Sequence, residues 1–272
     1  MSDSHLLDEL RVKPGEPPRL GERDPGARPG ADGKVAGVVR LTECVERLGV
    51  LHNRLFAEAR HALVLVLQGM DAAGKDGVIR SVFTGVNPQG CRVESFKEPT
   101  PTELAHDFLW RVHARCPARG ELAIFNRSHY EDVVVVRVKK LVDEKVWRPR
   151  YDHIRAFEEH LDNEGTSMVK VFLHESKDKQ RERLQDRLDD PEKRWKFRAG
   201  DLDDRALWDD FQQAYEDALH ETSTDKAPWY VVPADHNWSR NLCVAEILVA
   251  ALERLDPQIP EPDPGVEEVK IV

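Results

Sequence analysis

The sequence predicts an α/β fold in which a five-stranded parallel sheet is flanked by helices on both faces. Five short apolar segments alternate with segments of helical character, which is typical of a parallel sheet covered on both sides. The apolar segments are residues 62–67, 91–96, 122–125, 168–173 and 229–232. A glycine-rich loop follows the first of them directly. Because ligands of such sheets bind beyond the carboxyl ends of the strands, we expect a site at that edge.

Apolar spacing and capping residues indicate the helices. In residues 41–60, apolar side chains recur at three- and four-residue steps, which predicts an amphipathic helix before the first strand. Thr100 and Glu103 have the spacing of a capping box, with proline at the first helical position, so we expect a helix from residue 101 to residue 113. Further helices are expected at residues 78–83, 150–163, 177–188, 202–220 and 239–254.

Two local signals conflict after the third predicted strand. Ser128 and Glu131 have the spacing of a second capping box, which indicates the start of a helix. Residues 133–136 are all valine, and β-branched residues favour a strand. We predict a helix here, because an alternation of strand, loop and helix is already established along the chain.

The chain is expected to form one P-loop domain over residues 41–256. Residues 1–40 are predicted to be an N-terminal arm, since residues 1–36 are rich in proline, glycine and charge and have almost no periodicity. Residues 257–272 contain four prolines and are predicted to be an irregular C-terminal tail.

Composition narrows the class of protein. With 272 residues, of which 40% are hydrophobic, the chain can bury a full core. Its net charge of −10 argues against a protein that binds nucleic acid or an anionic membrane as a whole. The four cysteines are scattered along the chain and are interpreted as reduced thiols. No signal pattern and no apolar run of membrane-spanning length occur, so we expect a cytoplasmic protein with neither nucleic acid nor membrane as partner.

The most specific motif is Gly-x-x-x-x-Gly-Lys over residues 69–75, between a predicted strand and a predicted helix. Glycines allow backbone N–H groups to close around a polyanion, the helix N-terminus adds its dipole, and Lys75 supplies a point charge. A chance match in a glycine-containing turn is the alternative, and the flanking strand and helix disfavour it. The residues expected to line bound phosphate are Gly69, Ala72, Ala73, Gly74, Asp76 and Gly77.

Two carboxylates accompany this loop. Asp76 stands where such loops usually carry a Ser or Thr that ligates magnesium. Asp71 lies inside the loop itself. Because a carboxylate beside bound phosphate is repelled unless a cation lies between them, Asp71 implies a metal ion.

A second cluster of charged residues follows the third strand, at the same predicted edge of the sheet. Arg127 can grip phosphoryl oxygens through two parallel hydrogen bonds. Glu131 and Asp132 can hold magnesium or orient an acceptor. The alternative is local, with Glu131 as the capping partner of Ser128 and Asp132 complementing the helix dipole.

Residues 177–198 are locally basic, with nine Lys and Arg against six Asp and Glu. The sequence Asp189-Asp190-Pro191 breaks the helical pattern and predicts a helix–turn–helix. Its position after the fourth strand indicates a lid, at about residues 177–200, which closes on a phosphate donor and excludes water. Mixed-charge helices of this kind are otherwise usually solvated faces.

Three long motifs resemble the polyphosphate kinase 2 family: GMDAAGKDG at residues 69–77, FNRSHYED at 125–132 and DDPEKRWKF at 189–197. The similarity covers nearly everything from residue 40 to about residue 255. It implies a P-loop kinase fold of the thymidylate-kinase type with a basic helical lid, assembled as a homotetramer or homodimer. It also implies reversible transfer of the terminal phosphoryl group of inorganic polyphosphate to a nucleotide, with Mg²⁺ as cofactor and Mn²⁺ as a substitute.

The resemblance further implies roles for single residues. Asp71 would bind the metal or activate the acceptor phosphate, and Asp132 would be the second acid at the metal. Lys75 would hold the transferring phosphates, and Arg127 would bridge donor and acceptor oxygens. Asn126 belongs to the same motif and is expected to line the substrate site. The lid residues expected to contact nucleotide or polyphosphate are Arg183, Arg187, Lys193 and Arg194.

The acceptor divides the family into subgroups. Glu131, directly after Tyr130, resembles the subgroup that accepts both nucleoside monophosphates and diphosphates. The expected substrates are therefore ADP, GDP, AMP and GMP, with ATP and GTP as products.

Two other functions fit the residues. An ATP-dependent kinase of a small molecule or nucleotide would use the same loop and lid, and it would be indifferent to polyphosphate. A non-enzymatic nucleotide or phosphate sensor would bind without turnover. The two acids at the site weigh against a sensor, because binding alone gains nothing from Asp71 beside phosphate.

Overall fold

The computed structural model describes residues 3–271 and contains one six-stranded sheet. The strands are β1 (Arg11–Val12), β2 (Ala62–Gln68), β3 (Cys91–Ser95), β4 (Leu122–Asn126), β5 (Thr166–His174) and β6 (Trp229–Pro233). Their order across the sheet is β1-β6-β5-β2-β4-β3, and β2 to β6 are parallel. The five predicted strands and their parallel arrangement are thus confirmed, and the phosphate loop predicted at residues 69–75 follows the central strand β2.

Helices cover both faces of this sheet. They are α1 (Asp3–Leu10), α2 (Lys34–Glu58), α3 (Lys75–Val82), α4 (Pro101–Leu104), α5 (Trp110–His113), α6 (Val135–Val138), α7 (Glu144–Trp147), α8 (Arg150–Asn163), α9 (Lys177–Asp189), α10 (Gly200–Ala206), α11 (Trp208–Thr222) and α12 (Asn237–Leu255). Short 3₁₀ turns lie at Leu20–Glu22, Pro88–Gly90, His129–Asp132, Arg194–Lys196 and Val266–Glu268. Among the described residues, no helix is both long enough and apolar enough to span a membrane.

The side chains of β2 alternate between two apolar cores. Leu63, Leu65 and Leu67 pack with residues of α2, α3 and α12 on one face of the sheet. Val64 and Val66 pack with residues of α8 and α11 on the other face. All seven residues of β2 are buried, which explains why the strand is apolar from Ala62 to Leu67 instead of alternating with polar residues.

The N-terminal segment, predicted to be an arm, contains regular structure and packs on the domain. It forms α1 and β1, and β1 pairs antiparallel with β6 as a sixth strand. Leu6 and Leu10 are buried in the core, and the Glu216 carboxylate accepts hydrogen bonds from the backbone N–H of Arg19 and Leu20 at 2.7 and 2.8 Å. The helix α2 begins at Lys34, before the predicted start of the P-loop domain at residue 41.

Two predicted helices are interrupted. The capping box of Thr100 and Glu103 is present, but α4 lasts for one turn only. The Asp107 carboxylate then accepts hydrogen bonds from the N–H groups of Leu109 and Trp110 and starts a separate turn, α5. The helix predicted over residues 202–220 is likewise divided into α10 and α11.

The conflict after β4 is decided in favour of helical turns. A 3₁₀ turn, His129–Asp132, precedes the single turn of α6. The Ser128 hydroxyl accepts a hydrogen bond from the N–H of Tyr130, so Ser128 does cap this turn. Glu131 is not its capping partner, because the Glu131 side chain is hydrogen-bonded to Arg127 instead.

Candidate active site

The loop between β2 and α3 has the backbone that its glycines predict. Gly69 and Gly74 have positive φ angles of 149° and 100°, and Ala72 is also left-handed at 72°. A Cβ atom on Gly69 would lie 2.9 Å from the carbonyl oxygen of Leu173, and one on Gly74 would lie 2.0 Å from Nη1 of Arg240. Both positions therefore require glycine for conformation and for space.

Lys75 begins α3 and folds back over this loop. Its Nζ donates hydrogen bonds to the carbonyl oxygens of Gly69 at 2.6 Å and Met70 at 3.1 Å. Burial lowers the pKa of Lys75, as does the Arg127 guanidinium, and the carboxylate of Asp71 opposes this. Lys75 thus lies among charged groups that pull its pKa in opposite directions, as is common at functional sites.

Arg127 joins the end of β4 to the loop. One side of its guanidinium donates to the carboxylate of Asp71, and the other donates to Glu131 at 3.0 Å. Arg127 has a φ of 63°, a left-handed conformation that costs free energy in a residue other than glycine and is found most often at functional sites. The structure therefore brings together Asp71, Lys75, Arg127 and Glu131, as the position of the two segments at one edge predicts.

The carboxylate of Asp71 is held in its ionised form. Burial alone would raise its pKa, but Arg127 and Lys75 outweigh burial, so that the pKa of Asp71 lies below its usual value. An ionised carboxylate at the edge of a phosphate loop is a suitable ligand for magnesium, which proteins often bind through one or two carboxylates together with substrate phosphates. Within residues 3–271, no three His, Cys, Asp or Glu side chains are grouped to hold a metal by themselves.

Asn126 and Asp76 are in direct contact at the mouth of the loop. The side-chain amide of Asn126 donates a hydrogen bond of 3.0 Å to the carboxylate of Asp76. A P-loop enzyme usually has a hydroxyl directly after the loop lysine, and it usually has an acid at the end of the neighbouring strand. Here an acid, Asp76, follows the loop lysine, and an amide, Asn126, lies at the strand end.

Asp132 lies between two arginines that the motifs did not reveal. Its carboxylate oxygens lie 3.5 Å from Arg111 and 3.5 Å from Arg150, and Arg150 also donates to its backbone carbonyl at 2.8 Å. Burial raises the pKa of Asp132, and the two arginines oppose the rise. The contacts of Asp132 are thus with cationic side chains, whereas the resemblance places it at a metal beside Asp71.

The lid consists of α9, the 3₁₀ turn Arg194–Lys196 and the start of α10. Arg187 pairs with Asp201 at 3.2 Å, and its charge adds to the effect of Arg127 and Lys75 in lowering the pKa of Asp71. Lys193 pairs with Asp190 at 2.7 Å, and Arg194 donates to the carbonyl of Leu188 at 2.7 Å. Lys193 and Arg194 therefore have partners within the lid.

Arg183 faces the back of the phosphate loop. Its Nη1 donates to the carbonyls of Ala72 and Ala73, each at 3.3 Å, and to the Glu175 carboxylate at 3.1 Å. Its Nη2 donates to the carbonyl of Ala234 at 2.6 Å. Its donors bond to the protein, because α9 packs against the loop, and a contact of Arg183 with substrate stays a prediction.

Several further residues contact the site without having been singled out. They are Arg111, Arg150, Glu175, Gln180, Asp201 and Arg240. Arg240 lies in the segment Asn-Trp-Ser-Arg-Asn at residues 237–241, which also resembles the polyphosphate kinase 2 family and is the one sequence signal for this arginine.

The protein has a central parallel sheet, a glycine loop with a buried lysine, and a basic helical segment packed against that loop. These features define the class of P-loop kinases. A family model described as polyphosphate kinase 2 matches residues 35–260, and the chain belongs to this family. The resemblance seen in the three motifs is thereby confirmed.

Individual relatives match over nearly the whole chain. An AMP/ADP-polyphosphate phosphotransferase from Meiothermus ruber is 56% identical over 97% of this chain and 100% of its own length. An ADP-polyphosphate phosphotransferase from Rhodopseudomonas palustris is 47% identical over 94% of this chain and 93% of its own. The crystal structure of polyphosphate kinase 2 from Arthrobacter aurescens TC1 superposes with a TM-score of 0.92 at 42% identity, covering 98% of this chain and 95% of that one.

Proposed function

We propose that this protein transfers the terminal phosphoryl group of inorganic polyphosphate to ADP and GDP, and also to AMP and GMP, in a reversible reaction that forms ATP or GTP from the diphosphates. The observation that carries the proposal is the Arg127 guanidinium between Asp71 and Glu131, beside Lys75 and the phosphate loop. The names of the Meiothermus ruber and Rhodopseudomonas palustris relatives support polyphosphate as donor and AMP or ADP as acceptor.

The proposed chemistry requires positioning and charge neutralisation more than covalent catalysis. Donor and acceptor are both polyanions and repel each other. Lys75 and the N–H groups at the start of α3 would hold the transferring phosphates, and Arg127 would bridge donor and acceptor oxygens through its planar fork. On binding of substrate, Lys75 would exchange its two carbonyl partners for phosphate oxygens.

We propose Mg²⁺ as the cofactor, with Mn²⁺ as a substitute. The ionised carboxylate of Asp71 fits such a cation. The ion, when bound, would neutralise charge on the phosphates. For Asp132 the contacts with Arg111 and Arg150 support a different role from that of metal ligand, in which it orients these two cationic groups near the acceptor.

The lid would close over the bound polyanion. Arg187 is already near Asp71, and Lys193 and Arg194 lie on the partly exposed turn that follows α9. We propose that these three residues contact nucleotide or polyphosphate and exclude water from the phosphoryl group. A homodimer or homotetramer is also proposed, and light scattering of the purified protein would test it.

The test is phosphoryl transfer from long-chain polyphosphate, with ADP and AMP offered separately and with magnesium present or chelated. Magnesium-dependent product from both acceptors would support the proposal. Product from ADP alone would support polyphosphate-dependent transfer but would contradict the proposal that monophosphates are also acceptors. An ATP-dependent kinase would instead consume ATP and ignore polyphosphate, and a sensor would bind Mg-ATP without forming product.

A further inference from the structure

The phosphate loop has five consecutive carbonyl groups, and side chains donate hydrogen bonds to all of them. Lys75 accounts for Gly69 and Met70. Gln180 donates to the carbonyl of Asp71 at 3.0 Å. Arg183 donates to Ala72 and Ala73, and Arg240 also donates to Ala73 at 3.3 Å. Three of these donors lie more than one hundred residues from the loop in sequence.

This arrangement determines the direction of the loop N–H groups. In a planar trans peptide, the carbonyl of one residue and the N–H of the next point in opposite directions. A donor that holds the carbonyl of Asp71 therefore turns the N–H of Ala72 to the other side. In the same way, Arg183 and Arg240, which hold the carbonyl of Ala73, turn the N–H of Gly74 to the other side.

The three distant donors belong to two helices. Gln180 and Arg183 are three residues apart on α9 and share one face of it, whereas Arg240 lies in the first turn of α12. The side-chain oxygen of Asn237 accepts hydrogen bonds from Arg183 at 2.9 Å and from Arg240 at 3.0 Å. The two guanidinium groups are thus fixed side by side behind the loop, where their charge also favours a polyanion in front.

The space behind the loop is shaped for these groups. Arg240 is 2% exposed. A Cβ atom on Gly77 would lie 2.9 Å from its Nη2, and one on Gly74 would lie 2.0 Å from its Nη1. Glycine at both positions therefore allows the guanidinium to lie directly against the loop and the start of α3.

We propose that Gln180, Arg183 and Arg240 are positioning residues that hold the phosphate loop with its N–H groups towards the substrate, and that α9 thereby couples the lid to the loop. The inference rests on the proposed function, in that the bound ligand is a chain of phosphates. Because α9 is also the first helix of the lid, a change in the position of the lid is transmitted to the loop carbonyls through Gln180 and Arg183.

The test is the affinity of the full chain for inorganic tripolyphosphate, measured by calorimetry, together with hydrogen exchange of the loop amides. Arg183→Met removes the hydrogen bonds to Ala72 and Ala73. We expect affinity to fall by about 10- to 100-fold, the range for charge-assisted hydrogen bonds. Exchange should become faster in residues 69–78 and stay unchanged in the core of α12.

Arg181→Met is the matched control. Arg181 lies on the same helix with a side chain that is 70% exposed, and its ion pair with Asp178 is long, at 3.7 Å. We expect its affinity to stay within about twofold of the wild type, as for other exposed pairs. Equal losses in Arg181→Met and Arg183→Met would overturn the proposal, as would a uniform rise in exchange over the whole sheet.

Milder changes keep the test decisive if Arg183→Met does not fold. Arg183→Lys retains the charge but cannot reach both carbonyls, and Gln180→Leu removes only the bond to Asp71. Both should weaken tripolyphosphate binding and speed exchange of the loop, and wild-type behaviour in both would overturn the proposal. If the wild type binds tripolyphosphate but transfers no phosphoryl group, the proposed function fails and the positioning role is retained.

Discussion

Arg127 donates a hydrogen bond to Asp71 and so ties the end of β4 to the phosphate loop. The pair joins two segments that are 56 residues apart in sequence. It also combines a cation with an anion at the point where a phosphoryl group would pass. Arg127 has a left-handed backbone at this position, and its guanidinium contributes to the lowered pKa of Asp71.

Replacing Arg127 by lysine tests whether phosphoryl transfer requires the planar guanidinium group and not only its charge. Arg127→Lys keeps the charge but cannot serve Asp71, Glu131 and a phosphate oxygen together. We expect kcat for polyphosphate-dependent ATP formation to fall by about 10² or more. Arg148→Lys, at an exposed pair with Glu144, is the control and should retain activity. Normal turnover in Arg127→Lys would remove the bridging role.

Lys75→Ala should abolish most of the activity while the fold persists. The variant loses the point charge at the phosphates, and the loss in rate is expected to be about 10² or more. Steady-state kinetics with circular dichroism would check the outcome. Lys145→Ala, at a side chain that is 82% exposed, is the control. A folded Lys75→Ala with near-normal turnover would contradict the role of this lysine.

Glu175 predicts a dependence of stability on pH. Burial raises its pKa from 4.5 to about 8, although Arg183 and Lys75 oppose the rise. The folded protein therefore binds this proton more tightly than the unfolded chain does. It follows that the contribution of Glu175 to stability is present below about pH 4.5 and is lost as the pH rises through about 8.

Urea unfolding of the wild type and Glu175→Gln at several pH values would measure this effect. As the pH rises from about 4.5 to about 8, the free energy of unfolding of the wild type should fall relative to that of Glu175→Gln. Glu159→Gln, at an exposed carboxylate on α8, should instead give a curve parallel to that of the wild type. Parallel curves for Glu175→Gln would show that its proton is not bound more tightly in the folded state.

Lys170 and Glu158 form a buried ion pair, and we expect the stability of the fold to depend on both charges being present. Lys170 on β5 donates to Glu158, to the hydroxyl of Tyr130 at 3.1 Å and to the carbonyl of Thr222 at 2.8 Å. Lys170→Met leaves Glu158 buried without its cation, and we expect a loss of about 3–5 kcal/mol in urea unfolding.

The double variant separates pairing from packing. Lys170→Met combined with Glu158→Leu removes both charges, and it should be more stable than Lys170→Met alone, because no unpaired charge is buried. A double variant less stable than Lys170→Met alone would contradict the cost assigned to the unpaired buried carboxylate.

The strands and the phosphate loop could be predicted because their signals are local. Residues 62–67 are uniformly apolar, and the Gly-x-x-x-x-Gly-Lys spacing that follows them is typical of a phosphate loop. The interruption between α4 and α5 could not be predicted from spacing, since Asp107 caps a new turn within an apparently continuous helix. The strand β1 depends on Trp229 and Tyr230, more than 200 residues away.

Some residues of the candidate site could likewise be predicted from local motifs, and others could not. Asp71, Lys75, Arg127 and Glu131 belong to two short motifs at one sheet edge, and topology alone brings them together. Gln180 and Arg240 reach the loop through the packing of α9 and α12, which leaves no pattern in the sequence near the loop.

The short pairing of β1 with β6 has a consequence for the behaviour of the protein in concentrated solution. An unpaired edge of an apolar strand is a template on which strands of other molecules can add. Arg11 and Val12 pair with Tyr230 and Trp229, and so they occupy part of the edge that β6 would otherwise present. The strand β1 therefore reduces the unpaired edge of β6. A shortened protein that lacks β1 would expose this edge to pairing with other molecules, and we expect it to aggregate more readily.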